Sequence, residues 1–355
     1  MNTEVGIEGT GFLINGRPTY QGVAWRGRPV EGLLFNCRMI QAIFDDANPQ
    51  TRELWAYPDT GQWEPDRNTK EFCANLPSYR AHGLVAVTVG LQGGGSHFRA
   101  EVYQNYLNSA YRPDGSFKQP YFDRLLRIIR AADECGIVVI VNYFYWKQAE
   151  KLDGDDVLFD VTERVTEWLL KTGCRNILVD VANEAADWWT VELMKPANVH
   201  RVIEAARGVT VDGRRLLISS SSGGGMEEYA KGKWLAAEDF TMPHGNGRTP
   251  DELREKIRRV RGEPEYQARP RPICINEDSI FVENLEAAVG EHASWGFYCQ
   301  GYGSDYQDRM NWKTRGRESD YDKLSGFQTL PVNWSINTDV KRAFFDRLQE
   351  ITGGH

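Results

Sequence analysis

The chain has 355 residues, 41% of them hydrophobic, and a formal net charge of −8. That is apolar material for one large core, and the acidic balance argues against nucleic acid or an anionic membrane as partner. No apolar run reaches the roughly 18 residues of a membrane span, and the opening MNTEVGIEGTGF lacks the basic and apolar regions of a secretory signal, so a cytoplasmic location is expected.

Residues 12–22, FLINGRPTYQG, read as a β-hairpin around an Asn-Gly turn. The second strand is read on to Trp25 as the first strand of a larger sheet. Leu33, Leu34, Met39, Ile40, Ile43 and Phe44 follow at helical spacing, within a long insertion over residues 26–68. A regular alternation begins there. Helices are expected over 69–82, 121–134, 157–171, 196–207, 250–260, 283–294 and 337–351. Strands are expected over 84–91, 137–144, 176–182, 215–220, 238–242, 272–276 and 296–300. Eight strands alternating with helices, and no glycine fingerprint after the first, predict a single (β/α)8 TIM barrel domain over 1–355, of the α/β class. It would carry an N-terminal β-hairpin and insertions after strands 1 and 8 (residues 26–68 and 301–334) over its C-terminal face.

Two apolar runs end abruptly in Asn-Glu: NILVDVANE at Asn183-Glu184 and RPICINE at Asn276-Glu277. A carboxylate where a parallel strand emerges lies at the mouth of the sheet, where barrels do their chemistry. Each Glu alone could cap a helix or pair with an arginine. Two at equivalent ends, three βα units apart, instead suggest a pair facing one cleft. Acetal hydrolysis needs such a pair: one carboxylic acid to protonate the departing oxygen, and one carboxylate to trap or stabilise the oxocarbenium-like centre.

On these residues the chain resembles the clan A glycoside hydrolases, retaining (β/α)8-barrel enzymes that include the family 5 cellulases and mannanases. The resemblance implies that Glu184 is the acid/base, Glu277 the nucleophile, and Asn183 the partner of the sugar 2-hydroxyl. FLINGRPTYQGVAW is similar to the clan's opening hairpin and first strand. The departures imply a distinct family, so no substrate is carried over. VTVGLQGG offers Gln92 where family 5 members have an arginine. Asn142, Tyr143 and Tyr145 stand in place of a strand-three histidine, and Tyr298 and Gln300 in place of the strand-eight tryptophan.

His244, in FTMPHGN, sits where strand six opens and reads equally as a site residue or a solvated loop histidine. Trp25 with Arg26, and Trp188 with Trp189, follow strand ends. Aromatic faces pack on the C–H faces of sugars, although ordinary loop packing explains most individual tryptophans. The substrate-binding set read from sequence is therefore Asn183, His244, Trp25, Arg26, Gln92, Tyr143, Tyr145, Trp188 and Gln300. No metal or organic cofactor is required. Two other readings stay open: a metal-dependent barrel hydrolase using Asp180, Asp239, His244 and Glu277, and a non-catalytic carbohydrate-binding barrel. The six cysteines form no CxxC pair and read as buried hydrophobes in a reducing compartment. SSSSGGG at 219–225 has neither P-loop spacing nor a nucleophile elbow.

Overall fold

The computed structural model describes residues 2–94, 105–299, 326–328 and 330–354. Three antiparallel strands come first: β1 (Val5–Glu8), β2 (Gly11–Ile14) and β3 (Arg17–Pro18). Between β2 and β3, Asn15 and Gly16 take φ of 54° and 73°, the paired left-handed turn that Asn-Gly favours. This small sheet covers the N-terminal end of the barrel. Val5 N–H donates to Arg175 O below the fourth barrel strand, and Phe12 packs edge-on against Phe240 below the sixth.

The expected first barrel strand is corrected here. Ala24–Trp25 (β4) pairs antiparallel with Arg28–Pro29 (β5) across a turn in which Arg26 and Gly27 both have positive φ. A two-residue hairpin sends the chain straight back and cannot supply a parallel strand. Strand one of the barrel is β6 (Asn36–Arg38), inside the segment read as helix. Leu33, Leu34, Met39 and Ile43 do fit a helical period. In LFNCRMI, however, apolar Phe35, Cys37 and Met39 alternate with polar Asn36 and Arg38, a period of two. The polar inward positions broke the apolar run that marks a buried strand.

From β6 the sheet continues in parallel through β7 (Ala86–Gly90), β8 (Val138–Phe144), β9 (Ile177–Ala182) and β10 (Leu217–Ser219). Beyond it, β11 (Ser221–Ser222) pairs in parallel with β12 (Met242–Pro243), and parallel bridges join Thr241 to Ile273 and Cys274 to Ser294. The last strand, β13 (Gly296–Phe297), returns to β6 through Gly296 opposite Asn36. The ring closes on eight strand positions, as the alternation predicts. Helices wrap it, each with an apolar stripe turned inward; in Gln119–Cys135 the stripe is Phe122, Leu125, Ile128, Ile129 and Ala132. Helix Pro65–Ala81 starts four residues before the expected 69, because Pro65 fills the first helical position, where a missing N–H costs nothing.

Residues 39–64 form the insertion over the C-terminal end after strand one. They are ordered around Asp46, whose buried carboxylate accepts from Trp55 Nε1, Thr51 Oγ1 and the backbone N–H of Asn48 and Leu107. The second insertion, 301–334, lies largely outside the described residues.

Candidate active site

The two Asn-Glu strand ends meet. β9 is fully buried to Ala182, and Asn183 and Glu184 follow at its C-terminal end. Glu184 adopts φ 55°, a left-handed conformation that costs a non-glycine residue roughly 1 kcal/mol or more. Neighbouring groups hold it there. Glu184 N–H donates to Ser221 Oγ at 3.1 Å, Ala185 N–H to Ser221 O at 2.8 Å, and Trp189 Nε1–H to Glu184 O at 2.9 Å. Ser221 is itself clamped by Asp180, whose carboxylate takes the Ser221 N–H at 2.8 Å and its hydroxyl at 2.9 Å. Asp180 is wholly buried, and burial pushes its carboxyl up to about 6, against the opposing pull of the Ser221 donors and Arg38. Ser221→Ala removes the hydroxyl that joins this buried carboxylate to the Glu184 backbone. The variant is expected to lose about 1–3 kcal/mol of stability in denaturant unfolding, and an unchanged midpoint would refute the clamp.

Glu277 follows the seventh strand position. Its side chain is 7% exposed, against 26% for Glu184, so Glu184 reaches further toward the cleft. Arg38, from β6, places Nε 2.6 Å from Glu277 Oε2 and also donates to Asn183 Oδ1. Asn246 Nδ2 donates to Glu277 Oε1 at 2.9 Å. His244 stands between the acids, with Nδ1 3.0 Å from Glu184 Oε1 and 3.6 Å from Glu277 Oε2. All three side chains present ligand atoms within 4.8 Å of one another.

Burial raises both carboxyls above the usual range, and Arg38 pulls each back. Of the two acids the arginine contacts only Glu277, and Asn246 donates to it too, so these contacts favour the ionised form at Glu277 more than at Glu184. Burial also holds His244 down at about 3, so it is a neutral imidazole. Lys256, buried on helix Pro250–Gly262, donates to Gly223 O and His244 O at 2.7 Å each, tying the ends of strands five and six together.

Of the other residues singled out in the sequence, Asn183 and His244 belong to this cluster. Tyr145 is at its edge, near enough to Arg38 for their charges to interact. Its ring lies where a Cβ on Gly93 would stand 2.2 Å away, so that turn needs glycine. Trp188 lies on the loop just beyond Glu184 and is 46% exposed. Four assignments are corrected. Gln92 is fully buried and spent on the loops, its Oε1 taking the Tyr145 N–H and its Nε2 donating to Ser109. Tyr143 points out of the barrel, its hydroxyl 3.0 Å from Thr166 on helix Asp155–Lys171. Trp25 and Arg26 sit on the β4–β5 hairpin, where Arg26 pairs with Glu286 and Trp25 approaches Glu350 on the outer helices. Gln300 lies outside the described residues.

Sequence reasoning missed Arg38 and Asn246. The first was hidden by the misplaced strand one. The second is two residues after His244 in the HGN turn, and its signal was only that proximity. The metal set of Asp180, Asp239, His244 and Glu277 does not assemble. Asp180 is engaged by Ser221, and Asp239 is held by Arg215 at 2.7 and 2.9 Å. The trio of Glu184, His244 and Glu277 has metal-like spacing, but the Arg38 guanidinium already compensates Glu277 and opposes a second cation.

An eight-stranded parallel barrel with paired acids at strand ends four and seven is the class that fold and site define. In fold, the chain is similar to solved glycoside hydrolases. One is a GH5-4 broad specificity endoglucanase from Clostridium longisporum, at TM-score 0.54 and 9% identity, covering 91% of this chain and 96% of that one. Another, described as a glycoside hydrolase, aligns at TM-score 0.52 and 12% identity over 93% of this chain and 73% of its own. No protein-family model and no curated protein matches the sequence. No helix among the described residues is long and apolar enough to cross a membrane.

Proposed function

We propose that the protein is a retaining glycoside hydrolase acting by double displacement on an O-glycoside or oligosaccharide. The observation that carries this reading is the asymmetric pair: carboxylate oxygens of Glu184 and Glu277 within 4.8 Å, with Arg38 bound to only one of them. Retaining enzymes set their two carboxyl groups ~5–5.5 Å apart, and inverting ones beyond ~6.5 Å to admit a water between acid and base.

The roles follow from the electrostatics. Ionised Glu277 attacks the anomeric carbon while the glycosidic C–O bond breaks, and Glu184 gives its proton to the departing oxygen. His244 Nδ1 and Glu184 Oε1 lie 3.0 Å apart and share one hydrogen bond, and Glu184 Oε2 is the oxygen outside that bond. In the second step Glu184 removes a proton from water, the water oxygen bonds to the anomeric carbon, and the bond to Glu277 breaks. A sugar hydroxyl in place of water would give transglycosylation by the same residues. Asn183, held by Arg38, is positioned for the hydroxyl next to the reacting carbon. None of these steps calls for a metal or an organic cofactor.

The test is hydrolysis of gluco-, manno-, galacto- and xylo-configured aryl glycosides and oligosaccharides across pH. A bell-shaped kcat/KM is expected, with Glu277 ionisation on the acid limb and loss of the Glu184 proton on the basic limb. Because burial raises Glu184, the basic limb should lie above the ordinary carboxylate range. Glu184→Gln should abolish that limb. Activity that EDTA removes and a divalent ion restores would favour the metal reading instead. Oligosaccharide binding with no turnover of any substrate would favour the non-catalytic one.

A further inference from the structure

Asp180 is a wholly buried carboxylate to which the reaction gives no part. It stands where strand five changes partner. The parallel ladder between β9 and β10 runs through Leu178–Leu217 and Val179–Ile218 and ends at Asp180–Ser219. Two residues on, Ser221 and Ser222 pair instead with Met242 and Pro243 of β12. At that switch the Asp180 side chain takes over from the ladder, accepting the Ser221 N–H at 2.8 Å and the Ser221 hydroxyl at 2.9 Å. Hydrogen bonds to an ionised acceptor are roughly twice as strong as neutral ones, so this join is firmer than the backbone bonds it replaces.

Both partners of the Glu184–His244 hydrogen bond hang from the anchored segment. Ser221 takes the N–H of Glu184 at 3.1 Å on its hydroxyl oxygen and the N–H of Ala185 at 2.8 Å on its carbonyl. Those are the peptides on either side of the Glu184 Cα, so one serine fixes the direction in which the Glu184 side chain leaves the backbone. It fixes it in the left-handed conformation, at φ 55°, which needs such support in a residue with a Cβ. Ser222 O takes the His244 N–H at 3.1 Å. Glu277 stands on strand seven and is held by Arg38 and Asn246, outside this chain of contacts.

We propose that Asp180 is a positioning residue for proton delivery: acting through Ser221, it aims the Glu184 carboxyl at the departing oxygen and has no part in the attack by Glu277. The proposal rests on the retaining-hydrolase reading. Proton transfer needs donor and acceptor within hydrogen-bond reach of each other. Loosening the Ser221 anchor therefore costs the acid step, while Arg38 keeps Glu277 as its counter-charge and the nucleophile in place.

The test compares two aryl glycosides of the glycone that the panel above selects. The phenyl glycoside needs a proton on its departing oxygen, and the dinitrophenyl glycoside leaves as a stable anion without one. Ser221→Ala and Asp180→Ala should each lower kcat/KM for the phenyl glycoside by about 10- to 100-fold, and for the dinitrophenyl glycoside by about tenfold less. Ser221→Ala is the milder change and carries the test if Asp180→Ala does not fold. Asp180→Asn can still accept the Ser221 N–H and donate to the hydroxyl oxygen, so it should recover most of the phenyl glycoside rate. Equal losses on both substrates would mean that Asp180 and Ser221 only support the fold, and would overturn the proposal. So would no loss on either, or an asparagine variant as slow as the alanine one. Glu184→Gln, measured beside them, separates this proposal from the reading beneath it. A selective loss on the phenyl glycoside in Glu184→Gln but not in Ser221→Ala removes the positioning role alone. No selective loss in Glu184→Gln removes the acid assignment, and the positioning role with it.

Discussion

Glu277→Ala is expected to lower kcat on any glycoside by a factor on the order of 10⁴ or more, because the variant lacks the group that forms the covalent intermediate. Azide should restore part of the rate. Arg38 and Asn246 remain around the vacated space and favour a small anion there. A β-glycoside should then yield the α-azide, since azide attacks from the face Glu277 occupied. Glu184→Ala should behave differently. It should lose about 10²–10⁴ on substrates that need protonation and much less on activated aryl glycosides. Azide should then yield the β-product, by attacking the glycosyl-enzyme from the opposite face. Removing Glu277 also leaves Arg38 buried without its counter-charge, which costs about 3–5 kcal/mol in comparable pairs. The folded state of each variant must therefore be verified by circular dichroism before rates are compared. The same azide product from both variants, or full activity in either, would refute the assigned roles.

Arg38→Met is the second large effect. Arg38 lowers the Glu277 pKa against the burial that raises it. Without the guanidinium the carboxyl moves further up, and ionised Glu277 becomes scarcer at any given pH. The acid limb of kcat/KM should shift to higher pH, with a neutral-pH loss of about 10²–10³. Part of that loss should return as the pH rises, until deprotonation of Glu184 ends activity. A uniform loss with an unmoved acid limb would mean that Arg38 only supports the fold.

The barrel and the two acids were legible because both are written locally. Apolar runs such as VVIVNYF and NILVDVA announce strands buried on both faces, and their abrupt Asn-Glu endings mark where the strands emerge. The groups that tune those acids were less legible, because their meaning is set by distant partners. Arg38 lies far from Glu277 in sequence and acts on it only when β6 closes the ring beside β13. It sits in a three-residue strand whose inward positions are polar, so the apolar-run criterion passed over it and chose Val23-Ala24-Trp25 instead. The same shift placed Trp25 and Arg26 at the cleft, when a two-residue turn carries them to the outer helices. Gln92 and Tyr143 lie on or just beyond correctly placed strands. Their sequence position did not reveal that one serves a loop and the other faces a helix. Asp180 was read as a strand residue with metal-binding potential, and only the packed structure brings its carboxylate to Ser221 and, through it, to Glu184.

The most direct test of the double displacement is to trap its intermediate. The wild type would be incubated with the 2-deoxy-2-fluoroglycosyl fluoride of the selected glycone, digested, and analysed by mass spectrometry. The account predicts time-dependent inactivation and one added fluoroglycosyl group on the peptide that carries Glu277, absent from Glu277→Ala. A stable label on another residue would contradict it. So would a product released with inverted anomeric configuration and no label at all.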